Sequence, residues 1–452
     1  MLLAGTVLLA SSLFAGAAPY EAASKSKSPI FHEPVKGMPQ DIQARFQAGN
    51  VMKHVQYLSQ EIGPRVAGTE EEKEAADYIR KELKRYGYSV ETESFSIPDR
   101  LEGELEIGDK EYQIRIAANS AITDDELEAE VVRAGLGRKN DFPSNVKGKI
   151  ALIQRGEITY WDKVANAVEK GAAAVIFYDN ADALAPSNPS LGDNMSSIPV
   201  VSITKADGEK LVQQIAKGKV EAELEIEKKK KQKSQNVVAV KKASHGPKES
   251  GIVYVSAHYD SVPYSPGAND NGSGTGLVLE LARILSKSQT DKELRFVFVG
   301  AEEIGLRGSK HYVSRLSKEE LKRSVANYNV DMPGTAWDKA TKLYVNVVDG
   351  KPNLVWLTAK AAADRLGNQS LVLYKRGSSD HVSFHEAGIP AANFIRREPG
   401  TASLEPWYHS SQDTIDHVSK ERLQEAGELL GITIYDLVRH QTGKDPGGKF
   451  IK

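Results

Sequence analysis

From residue 236 onward the chain alternates short apolar runs with helical stretches, and few architectures accommodate that pattern. Residues 252–257, 294–299, 325–330 and 391–395 read as strands. Residues 277–285, 306–316, 354–366 and 423–438 carry apolar side chains at helical spacing. A strand without polar alternation is buried on both faces, and a helix between two strands leaves room for parallel pairing. The expected fold is α/β: a mostly parallel mixed sheet sandwiched by helices.

Upstream, residues 51–62 are helical and Gly63-Pro64-Arg65 is a loop. Thr69 and Glu72 have the spacing of a capping box, opening a helix that carries Ala75, Ala76, Ile79 and Leu83 and stops at Gly87. Residues 88–97 alternate as a strand does. Between residues 124 and 227 the texture changes to short strands and one helix. Residues 220–227 alternate strictly, as an exposed strand does, and the lysines at 228–231 read as a solvated linker. A smaller β-rich unit over 119–233 therefore interrupts a larger one over 48–118 and 234–440. Residues 25–47 form a polar linker or lead, and 441–452 a flexible tail. Residues 1–24 are signal-like: apolar, with Ala15-Gly16-Ala17 resembling a cleavage site, although no lysine precedes Lys25. That segment predicts secretion. No later run is long and apolar enough for stable membrane insertion.

Composition narrows the chemistry. There are no cysteines, so thiol catalysis, disulfides and thiolate metal sites are excluded. Lysine and arginine number 59 against 61 aspartate and glutamate, which gives no overall field to attract nucleic acid. A metal site would have to use His, Asp and Glu. The predicted strands end in residues of those types. The first runs into His258-Tyr259-Asp260, with Asp270 in the glycine-rich loop beyond it. The second runs into Glu302-Glu303, the third into Asp331, and the fourth leads by a loop to Tyr408-His409. Ligands of open α/β sheets bind beyond the carboxyl ends of the strands, so these residues are expected to converge. Two imidazoles (His258, His409) and three carboxylates (Asp270, Glu303, Asp331) suit two divalent cations. Without metal, the carboxylates would repel one another. Nitrogen and oxygen donors fit zinc, with Co²⁺ or Mn²⁺ as substitutes.

The order and spacing of His258-x-Asp260, Asp270-Asn271, Glu302-Glu303, Asp331, Gly377-Ser378-Ser379-Asp380-His381 and Tyr408-His409 resemble the M28 family of zinc aminopeptidases. The Gly63-Pro64-Arg65 loop matches as well. The interrupting unit resembles a protease-associated (PA) domain through Gly148-Lys149-Ile150-Ala151-Leu152, Arg155-Gly156, Asn166-Ala167 and the run from Gly171 to Tyr178. The resemblance implies a zinc-exopeptidase-like fold with the PA domain inserted, and two Zn²⁺ per chain bridged by Asp270. His258 and Asp331 would complete one metal, Glu303 and His409 the other. Glu302 would be the general base acting on a metal-bridged hydroxide, and Tyr408 would bind the oxyanion. Asp260 would hold His258 and fix its tautomer, Asp380 would stand near the base, and Asp270-Asn271 would be a cis peptide. The implied enzyme is a secreted, monomeric metallo-aminopeptidase acting on peptides and proteins with a free N-terminus. Its secreted, insert-bearing relatives suggest Arg, Lys or Leu as the residue removed.

Other readings stay open. The same fold hosts glutaminyl cyclases, which are transferases, and also inactive metal-binding members. A carboxypeptidase would need a basic anchor, for which Arg376, Arg396 and Arg397 are candidates. The glycine-rich run Gly272–Gly276 lacks the pattern of a phosphate loop, and no Gly-x-Ser-x-Gly elbow is present. The remaining histidines read as structural or surface residues, with His381 the one beside Asp380, and Asp413 reads as a loop hydrogen-bonder.

Overall fold

The computed structural model describes residues 39–439, except 124, 246, 248 and 249. The signal-like segment, the first part of the lead, His32, His440 and the tail lie outside the described residues. The rest of the lead is not a bare linker. It forms the helix Pro39–Arg45, and Ile42 and Phe46 sink into the main core. Phe46 lies against Gly427 of the closing helix Lys420–Val438, where a Cβ would come within 1.8 Å of the ring.

The main sheet has eight strands, numbered in chain order: β1 Ser89–Ser96, β2 Lys233–Lys241, β3 Ile252–His258, β4 Glu293–Val299, β5 Ser324–Val330, β6 Lys342–Val347, β7 Leu371–Lys375 and β8 Ala391–Arg397. Their spatial order is β1-β2-β4-β3-β5-β8-β6-β7. The centre, β4-β3-β5-β8, is parallel, and β1-β2, β2-β4 and β8-β6 are antiparallel. Alternation along β3 explains its unbroken apolar run. Val253, Val255 and Ala257 enter the core beneath helices Ala48–Gln56, Gly274–Leu285 and Lys420–Val438. Ile252 and Tyr254 face the opposite layer with Tyr312 and Phe384. Both faces are covered, so polar alternation would bury unpaired groups. β2, β6 and β7 escaped the sequence reading.

The chain lies on one side of β3 at β4 and returns to the other side at β5. That reversal opens a crevice at the carboxyl ends of the strands.

The insert has its own eight-stranded sheet. Helices Tyr160–Glu169 and Lys205–Ile215 pack into separate clusters on it, and the second of these helices was not anticipated. Strand Glu221–Lys229 alternates because it buries Ala222, Leu224 and Ile226 on one face only. Strands Arg100–Ile107, Lys110–Glu111 and Arg115–Ile116, which the sequence reading left with the larger unit, belong to this sheet. The junction is a two-stranded ribbon. Ser96 pairs with Lys233 in the main sheet and Arg100 with Lys229 in the insert. Ile97 N–H donates to Gln232 O between them at 3.1 Å.

Candidate metal centre

His258 is the last residue of β3, in register with Val299, so the loop carrying Glu302 and Glu303 leaves β4 beside it. Asp331 follows β5 directly. His409 lies in the loop after β8, and Asp270 precedes helix Gly274–Leu285. All five converge on the crevice.

Among the described residues the five donors form two groups that share Asp270, and Glu302 stands within the same reach of His258 and Glu303. Asp270 Oδ1 lies 3.3 Å from His258 Nε2, which is 3.5 Å from Asp331 Oδ1. Asp270 Oδ2 lies 3.1 Å from His409 Nε2, which is 3.1 Å from Glu303 Oε2. Donors at zinc bond lengths in tetrahedral array stand about 3.3 Å apart, so each group has the spacing of one zinc site. Buried Glu303 Oε1 and Asp331 Oδ1 accept no hydrogen bond, as expected of atoms reserved for a cation. The residues therefore fit two zinc ions. Burial opposes a charge on His409, yet Glu303 and Asp270 outweigh it and hold the ring up at about 10.

The supports are as specific as the donors. Asp260 accepts the N–H of Glu302 at Oδ1 and that of Glu303 at Oδ2, both at 3.1 Å. Its carboxylate is 3.5 Å from His258 Nδ1, while its own backbone carbonyl is nearer, at 3.2 Å. The expected tautomer-fixing contact is thus chiefly a backbone one, and the carboxylate anchors the Glu302-Glu303 loop. Asp413 accepts from Asn269 N–H at 2.8 Å and Asp270 N–H at 3.0 Å, which makes it the loop hydrogen-bonder anticipated. The Asp270-Asn271 peptide is cis. Asn271 ties it to β5 by donating to Val330 O at 2.9 Å and accepting from Met332 N–H at 3.1 Å. Ala301, Met332 and His409 have φ of 55°, 57° and 56°, a left-handed conformation costly for side-chain-bearing residues and concentrated where these loops turn.

Glu302 faces the cleft, its pKa raised by burial and by Asp380, Glu303 and Asp331, against His258. Asp380 is fully buried nearby, and burial pushes it up to about 7. Tyr408 lines the cleft with its ring stacked on His409, centroids 3.8 Å apart. Burial and the surrounding carboxylates keep its hydroxyl protonated, hence a donor. His381 is buried and held down at about 4, first by burial, and lies outside both donor groups.

Of three supporting residues, Arg65 and Glu405 were given no role and Glu72 was given a different one. Arg65 is completely buried and donates to five carbonyls: Leu58, Gly63, Tyr259, Pro266 and Gly267. It thereby clamps both ends of the loop between His258 and Asp270. Glu405 accepts from Asn269 Nδ2 at 2.6 Å. Glu72 does not close a capping box. Thr69 caps the helix, but the Glu72 carboxylate accepts from Gly68 N–H at 2.7 Å and from Ser234 Oγ at 2.6 Å, pressed against Gly300. The sequence signals for Arg65 were its place in a Gly-Pro loop and that loop's match to the family pattern, and neither gave it a role.

Comparison with known proteins agrees with this architecture. Residues 236–433 match peptidase family M28, and residues 127–211 match the PA domain. Aminopeptidase YwaD of Bacillus subtilis is 49% identical over 397 residues, 88% of this chain and 86% of the relative. The solved structure of BSAP, a zinc aminopeptidase from Bacillus subtilis, superposes with a TM-score of 0.74 at 49% identity, over 88% of this chain and 97% of that one. The aminopeptidase from Aneurinibacillus sp. strain AM-1 gives 0.62 at 40% identity, over 89% and 96% of the two chains.

Proposed function

Since the chain belongs to peptidase family M28 and is a zinc aminopeptidase of that family, we propose that it is a secreted di-zinc enzyme that removes residues from the N-terminus of peptides. The observation that carries the di-zinc reading is the shared carboxylate. Each oxygen of Asp270 faces a different His–carboxylate pair. His258 and Asp331 would hold one ion, and Glu303 and His409 the other. When bound, the ions would lower the pKa of a water and polarise the scissile carbonyl.

The protein's own groups do the rest. Glu302 takes the proton of the attacking water and delivers it to the leaving amine. Burial and the neighbouring carboxylates raise its pKa, which makes it a stronger proton acceptor than a free carboxylate. Asp260 holds both amides of that loop, so the base keeps its aim. Tyr408 donates its hydroxyl to the oxyanion as the carbonyl becomes tetrahedral. The free α-amine of the substrate pairs with the carboxylates of the cleft, which restricts cleavage to the N-terminal bond. Secretion rests on the signal-like segment at residues 1–24. Among the described residues no helix is long and apolar enough to cross a membrane.

The test is release of p-nitroaniline from Leu-p-nitroanilide beside its N-acetylated form, before and after chelation and zinc add-back. Turnover of the free-amine substrate alone, lost with chelator and restored by zinc at two ions per chain, is expected. Turnover that survives complete chelation refutes the metal reading.

A further inference from the structure

The cleft carries two arginines for which peptide hydrolysis has no evident use. Arg397, at the end of β8, is only 3% exposed. Its Nη1 donates to Ala402 O at 2.9 Å, while its Nε is buried with no hydrogen-bond partner. Arg376, just past β7, is exposed and donates from Nε to Ser378 Oγ at 3.1 Å. Both line the same cleft as the metal donors, between apolar walls of Met332, Ile395 and Leu404.

Alternation along β8 sharpens the contrast. The neighbouring Arg396 points the other way and is satisfied, with Nη2 2.5 Å from Glu425 Oε2 and Nε donating to Pro333 O at 3.1 Å. Arg397 has no such partner. The charged and titratable groups around it are Arg376, Asp331, Tyr408 and Tyr374. Asp331 is the one carboxylate among them, and it is committed to the metal centre. A buried guanidinium with an unused donor is costly to keep unless something fills it. The planar fork of an arginine is built to take a carboxylate through two parallel N–H donors.

We propose that Arg397, with Arg376 at the rim, forms a carboxylate-binding subsite that makes this enzyme select substrates bearing a carboxylate close to the scissile bond. The subsite rests on the aminopeptidase reading and deepens it. The carboxylate is either the side chain of an N-terminal Glu or Asp or the C-terminus of a dipeptide. The same cations repel an N-terminal Arg or Lys, the opposite of the preference suggested by the insert-bearing relatives.

The zinc-loaded enzyme is assayed for kcat/KM on Glu-, Asp-, Leu- and Lys-p-nitroanilide, and on Leu-Gly beside Leu-glycinamide. One anionic substrate is expected to exceed its counterpart at least tenfold. Glu or Asp over Lys assigns the subsite to the side chain, and Leu-Gly over its amide assigns it to the C-terminus. Arg397→Met is expected to collapse that ratio to within threefold, chiefly through KM, and Arg397→Lys to recover part of it. Arg376→Gln, at an exposed position, is expected to lower the same ratio and guards against a folding defect in the buried variants. Lys-p-nitroanilide turned over as fast as or faster than Glu-p-nitroanilide, together with Leu-Gly turned over no faster than its amide, overturns the subsite and leaves the aminopeptidase reading intact. Failure of every free-amine substrate with folded, zinc-loaded protein defeats the aminopeptidase reading instead. Glutarate then tests the subsite alone: a thermal shift of the wild type that Arg397→Met abolishes supports it, and no shift overturns it.

Discussion

Replacing Asp260 by Asn separates two jobs that its position could serve. In the structure the carboxylate accepts the N–H of Glu302 and of Glu303, both at 3.1 Å, and stands 3.5 Å from His258 Nδ1. Asparagine keeps one acceptor oxygen and puts an amino group where the other was. One of the two amides then faces a donor and loses a hydrogen bond to a charged acceptor, a loss of about 1.5–3 kcal/mol. If the Glu302-Glu303 loop must hold its place for proton transfer, that loss appears as a fall of about 10- to 150-fold in kcat/KM. The His258 contact should change little, because the nearer partner of Nδ1 is the backbone carbonyl, which Asn retains. Asp260→Asn is therefore expected to lose kcat on Leu-p-nitroanilide while keeping two zinc ions per chain, measured by atomic absorption after gel filtration. A variant with normal kcat and weakened zinc retention would refute loop anchoring and restore the histidine as the object of the contact.

Glu302→Gln removes the proton acceptor and should lower kcat by about 100- to 10,000-fold, with zinc content unchanged, as read by steady-state kinetics beside metal analysis. Because protons must leave the histidines before metal enters, zinc affinity should weaken about tenfold for each pH unit of acidification per proton displaced, measured by competition with a chromophoric chelator. His54 is buried against Tyr78 at 2.6 Å and lowered to about 4, chiefly by burial. Its folded-state pKa is below the unfolded value, so its contribution is complete above pH 6.5 and fades as pH falls toward 4. That loss amounts to about 3 kcal/mol, and His54→Gln should flatten the corresponding stretch of the stability–pH profile in denaturant melts. Gly427→Ala drives a methyl group into Phe46 and should cost about 1–3 kcal/mol, seen as a lowered Tm. An unchanged Tm would mean that Phe46 does not pack there.

The centre of the molecule was legible because its signals are local. An apolar run such as 252–257 can hardly be anything but a buried strand, and the residue that ends it lies at the ligand-binding edge. The five donors follow from that logic and from residue type. The supports did not follow, because their importance comes from tertiary position. Arg65 is one cation in a loop until folding surrounds it with five carbonyls. Glu72 has the sequence spacing of a capping residue, yet its carboxylate is drawn to Ser234, 162 positions away. Arg397 stood in the sequence only as a possible anchor beside Arg376 and Arg396, and nothing local told it apart from Arg396. Strand alternation, visible only once β8 is paired, sends one into an ion pair and the other into the cleft. β2, β6 and β7 were missed because polar residues interrupt or closely flank their apolar runs and no metal donor stands at their ends.

The ribbon that joins the two sheets bears on how this chain folds. β1 and β2 are neighbours in the sheet, but residues 97–232 separate them in sequence. Bringing their ends together through a flexible loop of roughly 140 residues costs about 4 kcal/mol in chain entropy. If the insert condenses first, its own pair Arg100–Lys229 delivers both ends side by side, and most of that penalty has vanished before the main sheet begins to assemble. The insert would then act as a folding nucleus for the enzyme it interrupts. Mutations that loosen the interior of the insert should slow refolding of the whole chain, although they lie in a different sheet from the metal centre.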